Sequence, residues 1–117
     1  MTPTEREAIY DAEIAPELAR LAKRCEDVGM SFVAEVEWNP AEQAGGTTAA
    51  LAVGSSFGVR LVELACRCRG NVDALITGIL RHAREHGHNS LYIAMLEAKM
   101  TPREHIAFGK KISDANH

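Results

Sequence analysis

The feature that most restricts what this chain can fold into is a change of hydrophobic period. In MSFVAEVEW, residues 30–38, Phe32, Ala34, Val36 and Trp38 alternate with other residues that include Glu35 and Glu37, the period-two pattern of a half-buried strand. On both sides the apolar residues instead recur every three or four positions, which is helical spacing. A lone strand leaves its backbone donors and acceptors unpaired, so a second must lie beside it. TTAALAV, residues 47–53, is the returning run, with Asn39-Pro40 through Gly45-Gly46 as turn material between them. The expected fold class is therefore α+β, built on a two-stranded antiparallel β-hairpin at about 30–38 and 47–53.

The helices that surround the hairpin carry start and stop signals. Thr2-Pro3-Thr4-Glu5 combines a capping hydroxyl, a first-turn proline and a capping-box acid. A long N-terminal helix follows, with Ile14, Leu18, Leu21, Cys25 and Val28 as one buried stripe ending at Gly29. Pro16 should kink or restart it, because it brings no donor to the ladder. Three to four further helices are expected at about 56–69, 72–86, 90–99 and 102–111. In the first, Phe57, Leu61, Leu64, Ala65 and Cys68 form a face that Val59 and Val62 widen; in the second, Val72, Leu75, Ile76, Ile79, Leu80 and Ala83 form a stripe. Gly70-Asn71 joins the two as stop and cap. Residues 90–100 favour helix, although Leu91, Ile93 and Met95 also suit a short strand. The 117 residues are expected to form one compact domain, 1–117.

Composition narrows the function. With 46% hydrophobic and 25% charged residues the chain reads as an ordinary globular protein without a membrane span. The acidic N-terminus does not resemble a signal peptide, and three scattered cysteines do not make a disulfide framework, so a cytoplasmic location is expected. Residues 1–45 carry four Lys/Arg against ten Asp/Glu, and residues 46–117 carry nine against six. The net charge of −3 argues against a dedicated nucleic-acid binder, while the segregation suits self-association or a charged partner.

Four constellations could carry chemistry. His82-Ala83-Arg84-Glu85-His86 places two imidazoles at i and i+4 beside a glutamate, resembling the H-x-x-E-H motif of inverzincin metallopeptidases. That family needs a distant third ligand and a far larger fold, whereas only 31 residues follow His86 and the acids among them are Glu97, Glu104 and Asp114. A helix end that matches its dipole explains the same residues, so His82 and His86 are candidate metal ligands only, and no metal is expected. Gly54-Ser55-Ser56-Phe57-Gly58 matches G-x-S-x-G between a strand and a helix, with Asp73 and the histidines following in α/β-hydrolase order. Such an elbow needs a large parallel sheet, and a helix N-cap is the simpler role for the serines. Cys66 and Cys68 lie about 200° apart on a helix and cannot share a metal. Arg60, Arg67, Arg69, Arg81 and Arg84 fall on two consecutive helices and could face an anionic partner.

The order of these elements, with Cys25-Glu26-Asp27-Val28-Gly29-Met30 and Gly70-Asn71-Val72-Asp73 as its marked stretches, resembles small proteins of tailed phages and prophages over about residues 16–96. The resemblance implies an accessory protein that binds and modulates a host protein, in the manner of defence inhibitors, in the host cytoplasm, and it brings no catalytic residues. The expected function is a non-catalytic interaction module, with self-association into a homo-oligomer open as a second mode. Arg60, Arg67, Arg81, Arg84, Glu35 and Glu37 are the expected contact residues, and no cofactor is expected. The alternatives are a small zinc-dependent or serine hydrolase using His82, Glu85 and His86 or Ser56, and a weak nucleic-acid binder using the arginines.

Overall fold

The computed structural model describes residues 1–99 and is α+β, with one antiparallel hairpin among helices. Two compact units are distinguished, Met1–Gly70 and Asn71–His117. The first contains α1 (Pro3–Ile9), α2 (Ala15–Asp27), β1 (Phe32–Asn39), β2 (Ala44–Ala50) and α3 (Phe57–Cys68); the second contains α4 (Val72–His86) and α5 (Leu91–Lys99). The helix expected at 102–111 lies outside the described residues. No described helix is long and apolar enough to cross a membrane.

The N-terminal signals act as their chemistry requires. Glu5 N–H donates to Thr2 Oγ1 at 3.1 Å and Thr2 N–H donates to Glu5 Oε2 at 3.0 Å, a complete capping box. Pro16 restarts the helix after a π-helical turn, Tyr10–Ile14, closed by Ala15 N–H donating to Tyr10 O. The wide turn absorbs the bond that proline cannot make and starts α2 with Pro16 in its first turn. It also turns Tyr10 inward, where it is 8% exposed and its ring lies 4.8 Å from that of Trp38. Arg6 ties the same end down, its Nε donating to Trp38 O at 2.8 Å.

The hairpin register pairs Phe32 with Ala50, Glu35 with Thr47 and Val36 with Gly46. β2 thus begins three residues earlier than expected, and Gly45-Gly46 belongs to the strand, not to the turn. The reason is steric. A Cβ at Gly46 would collide with the Tyr10 hydroxyl, and one at Gly45 would collide with Val36 O, so only glycine fits where ring and partner strand approach this closely. The turn itself is a single 3-10 turn, Pro40–Glu42, closed by Gln43 in the left-handed region at φ 52°. A bulge between Glu37 and Asn39 leaves Trp38 without a cross-strand partner. β2 also ends earlier, at Ala50, because Ala52 N–H donates to Ser31 Oγ at 3.1 Å instead of continuing the ladder.

Burial corrects the expected stripes. On α2, Ala22 is buried and Leu18 and Cys25 are half-buried, but Leu21 is 40% exposed, as are Ile14 just before the helix (37%) and its C-cap Val28 (46%). On α3 no residue is fully buried, and Phe57 and Val62 are exposed. On α4, Val72 and Ile76 are exposed while Thr77 is buried, its Oγ1 donating to Asp73 O at 2.5 Å. Leu80, Ala83 and Ile93 form the core that α4 and α5 share, with Ile79 packed against it.

Candidate functional site

The densest polar cluster of the first unit lies where the C-terminus of α3 meets the hairpin. α3 runs to Cys68, and Arg69 caps it in the left-handed region at φ 43°. That conformation, costly for a residue with a Cβ, turns the guanidinium back onto the sheet. Arg69 Nη1 lies 3.3 Å from Glu35 Oε1, and Nη2 donates to Thr47 Oγ1 at 3.4 Å. Thr47, the cross-strand partner of Glu35, donates its hydroxyl to Glu35 Oε2. Beside them is an open cleft of about 520 Å³ lined by Glu35, Glu37, Gln43, Cys66, Arg69 and Gly70. Gln43, the other left-handed non-glycine residue, reaches Gly70 with its side chain.

This arrangement leaves little reactive capacity. The Glu35 carboxylate is held by Thr47 and Arg69, and each of those donors is spent on it or on its neighbour. Burial pushes the Cys66 thiol up from its ordinary 9.0, Glu35 and Glu63 push it further, and Arg69 opposes them. Cys66 is therefore a protonated thiol at neutral pH, not a nucleophile. The cluster works as a latch that fastens the end of α3 to both strands. Arg69 and Thr47 are its central members; the cross-strand pairing of Thr47 with Glu35 was legible from a correct register, whereas the left-handed turn at Arg69 had no signal.

The expected contact residues separate into paired and unpaired groups. Glu35 is held by Arg69 at the end of α3, and Glu37 lines the cleft. Arg67 Nε lies 2.8 Å from Glu63 Oε1 on the outer face of α3, with Arg60 exposed on the same helix. On α4, Arg81 Nε lies 3.2 Å from Glu85 Oε1, and Arg84 is exposed. The Arg81–Glu85 pair is exposed on both sides and holds weakly, whereas Glu63 is partly buried beneath Arg67.

The H-x-x-E-H segment occupies the last turn of α4. The rings of His82 and His86 lie 4.6 Å apart, tilted by 41°, while Glu85 is engaged with Arg81 and lies 3.9 Å from His86 Nε2. Among the described residues no three His, Cys, Asp or Glu side chains gather as a metal-binding group. His88 accepts at Nδ1 from Ser90 N–H at 3.0 Å and approaches Glu97 at 3.6 Å through Nε2. These contacts tie the connection between α4 and α5.

Ser56 is the N-cap of α3, with φ −68° and its Oγ accepting from Val59 N–H at 3.4 Å. That is ordinary extended backbone, not the strained elbow that exposes a nucleophile. Asn71 caps α4 in the same way, its Oδ1 accepting from Ala74 N–H at 3.0 Å.

The second feature is apolar. α5 buries Ile93 but turns Leu91, Tyr92, Met95 and Leu96 outward, the first two 72% and 77% exposed. At 100° per residue these four span about 140° of one helix face. No family model, curated protein or solved structure matches this chain.

Proposed function

We propose that this chain is a non-catalytic interaction protein of the phage-accessory type, binding a host protein through the outer face of α5. The observation that supports this reading is the exposure of Leu91, Tyr92, Met95 and Leu96 on one helix face. A helix apolar on nearly all sides is normally covered on all sides, and an exposed apolar helix face is what enters a partner's groove in helix-in-groove recognition. Tyr92 is suited to be the central anchor, since aromatic side chains dominate interface energetics. The serine and histidine motifs supply less support for a hydrolase, because Ser56 Oγ is occupied in capping and Glu85 is occupied by Arg81.

The test is capture from bacterial lysate with the full chain, followed by reconstitution with the purified partner and isothermal titration. The reading requires a stoichiometric complex weakened at least tenfold by Tyr92→Glu and unchanged by Arg60→Glu. Binding that is insensitive to Tyr92→Glu would overturn it.

A further inference from the structure

We infer that the exposed edge of α2 is a self-association surface, on which a second copy of this chain packs its own α2 in antiparallel orientation about a two-fold axis. The spacing 14, 18, 21, 25, 28 alternates four and three, as in the seam of a coiled coil; Leu18, Leu21 and Cys25 lie within α2, while Ile14 ends the π-helical turn before it and Val28 caps its end. The hairpin takes only one side of that seam. Leu18 and Cys25 are half-buried with Ala22, whereas Ile14, Leu21 and Val28, seven residues apart, stand 37–46% exposed. Three large side chains in line along one helix edge form a ridge, and a ridge packs best into the matching groove of another helix.

Charge identifies the occupant and its direction. Glu17 and Arg24, also seven residues apart, flank the ridge on its outer side. Glu17 pairs within its own helix with Arg20 at 3.0 Å, while Arg24 forms no ion pair among the described residues. With a two-fold axis at Leu21, Leu21 meets its own copy, Ile14 meets Val28 of the second copy, and Glu17 lies beside Arg24 of the second copy, twice over. A parallel pair, its two-fold axis running along the helices, would instead put the Glu17 and Arg24 edges of the two copies on opposite sides of the seam, where neither charge meets its complement. The same patch is thus complementary to itself in one orientation only, the requirement for an isologous dimer. Two heptads bury less than the about 800 Å² per partner of a standard interface, so the association is expected to be reversible. This surface is independent of the α5 face.

Sedimentation equilibrium of the full chain between about 1 and 300 μM tests it. A monomer–dimer equilibrium is expected, abolished by Leu21→Glu with the far-ultraviolet circular dichroism unchanged. Glu17→Arg alone and Arg24→Glu alone each weaken the dimer about three- to tenfold, and the combined Glu17→Arg, Arg24→Glu swap restores it. Both charge positions are exposed, so these variants decide the matter even where Leu21→Glu unfolds the chain. A monomer throughout the range, or a dimer indifferent to both single reversals, overturns the inference. A dimer weakened by each reversal but not restored by the swap excludes the antiparallel pairing and overturns it equally.

Discussion

Replacing Gly46 with alanine tests the tightest junction in the first unit. The added methyl would collide with the Tyr10 hydroxyl and sit 2.7 Å from Cζ and 3.0 Å from Cε1, where carbon pairs prefer about 3.5–4.0 Å. Tyr10 cannot swing aside freely, because it is 8% exposed and packed beside the Trp38 ring. Overpacking of this kind costs about 1–3 kcal/mol, and the loss of glycine freedom in the unfolded chain returns about 0.4–1 kcal/mol. A net loss of about 1–2 kcal/mol lowers the melting temperature of a unit this size by roughly 5–15 °C. Trp38, the only tryptophan, reports this event by fluorescence. In a Tyr10→Phe background the closest contact is gone, and the penalty should fall by about half. Gly58→Ala is the control: its Cβ would meet nothing closer than Ser56 Oγ at 3.7 Å, and in a helix it should stabilise by up to about 1 kcal/mol. Gly46→Ala melting at or above the wild type, or a penalty unchanged by Tyr10→Phe, would refute the steric account.

Two further outcomes follow from the caps and the thiols. Ser56→Ala and Asn71→Ala each remove the acceptor for one amide at a helix start and should cost about 1 kcal/mol in urea denaturation, with Asn71→Asp retaining most of the stability. Burial raises both Cys66 and Cys68 above their ordinary 9.0, so the folded state favours their protonated forms. Their contribution to stability is complete below about pH 9 and is lost as pH rises through the higher folded-state values. A fall in stability above pH 9 that is flattened in Cys66→Ser, Cys68→Ser protein checks this sign; a rise with pH would contradict it.

Most local features could be read directly from residues close together in the chain. The capping box at Thr2 and Glu5, the caps at Ser56 and Asn71, and the alternation through Glu35 and Glu37 involve partners two to four positions apart. Pro16 was equally readable as a break, although the π-helical form of that break depends on where Tyr10 must point. The latch was not readable, since it joins Glu35, Thr47 and Arg69 across two strands and a helix. Its geometry depends on Arg69 entering the left-handed region, which no residue type at that position announces. Gly45-Gly46 was misread for a related reason: glycine signals a turn by its freedom and a strand by its missing side chain, and only the neighbouring Tyr10 and Val36 distinguish the two.

Sequence alone therefore determined the α+β class, the order of the elements as far as α4 and the apolar stripes of α2, α3 and α4, because these arise from backbone propensity and period. Tertiary structure decided how much of each face is covered. Two strands about 5 Å apart make a support no wider than one helix with its side chains, about 10 Å. Such a hairpin covers Leu18, Ala22 and Cys25 but leaves Ile14, Leu21 and Val28 at its edge. Periodicity specifies which residues travel together; the width of what lies beneath them specifies which remain available to a partner.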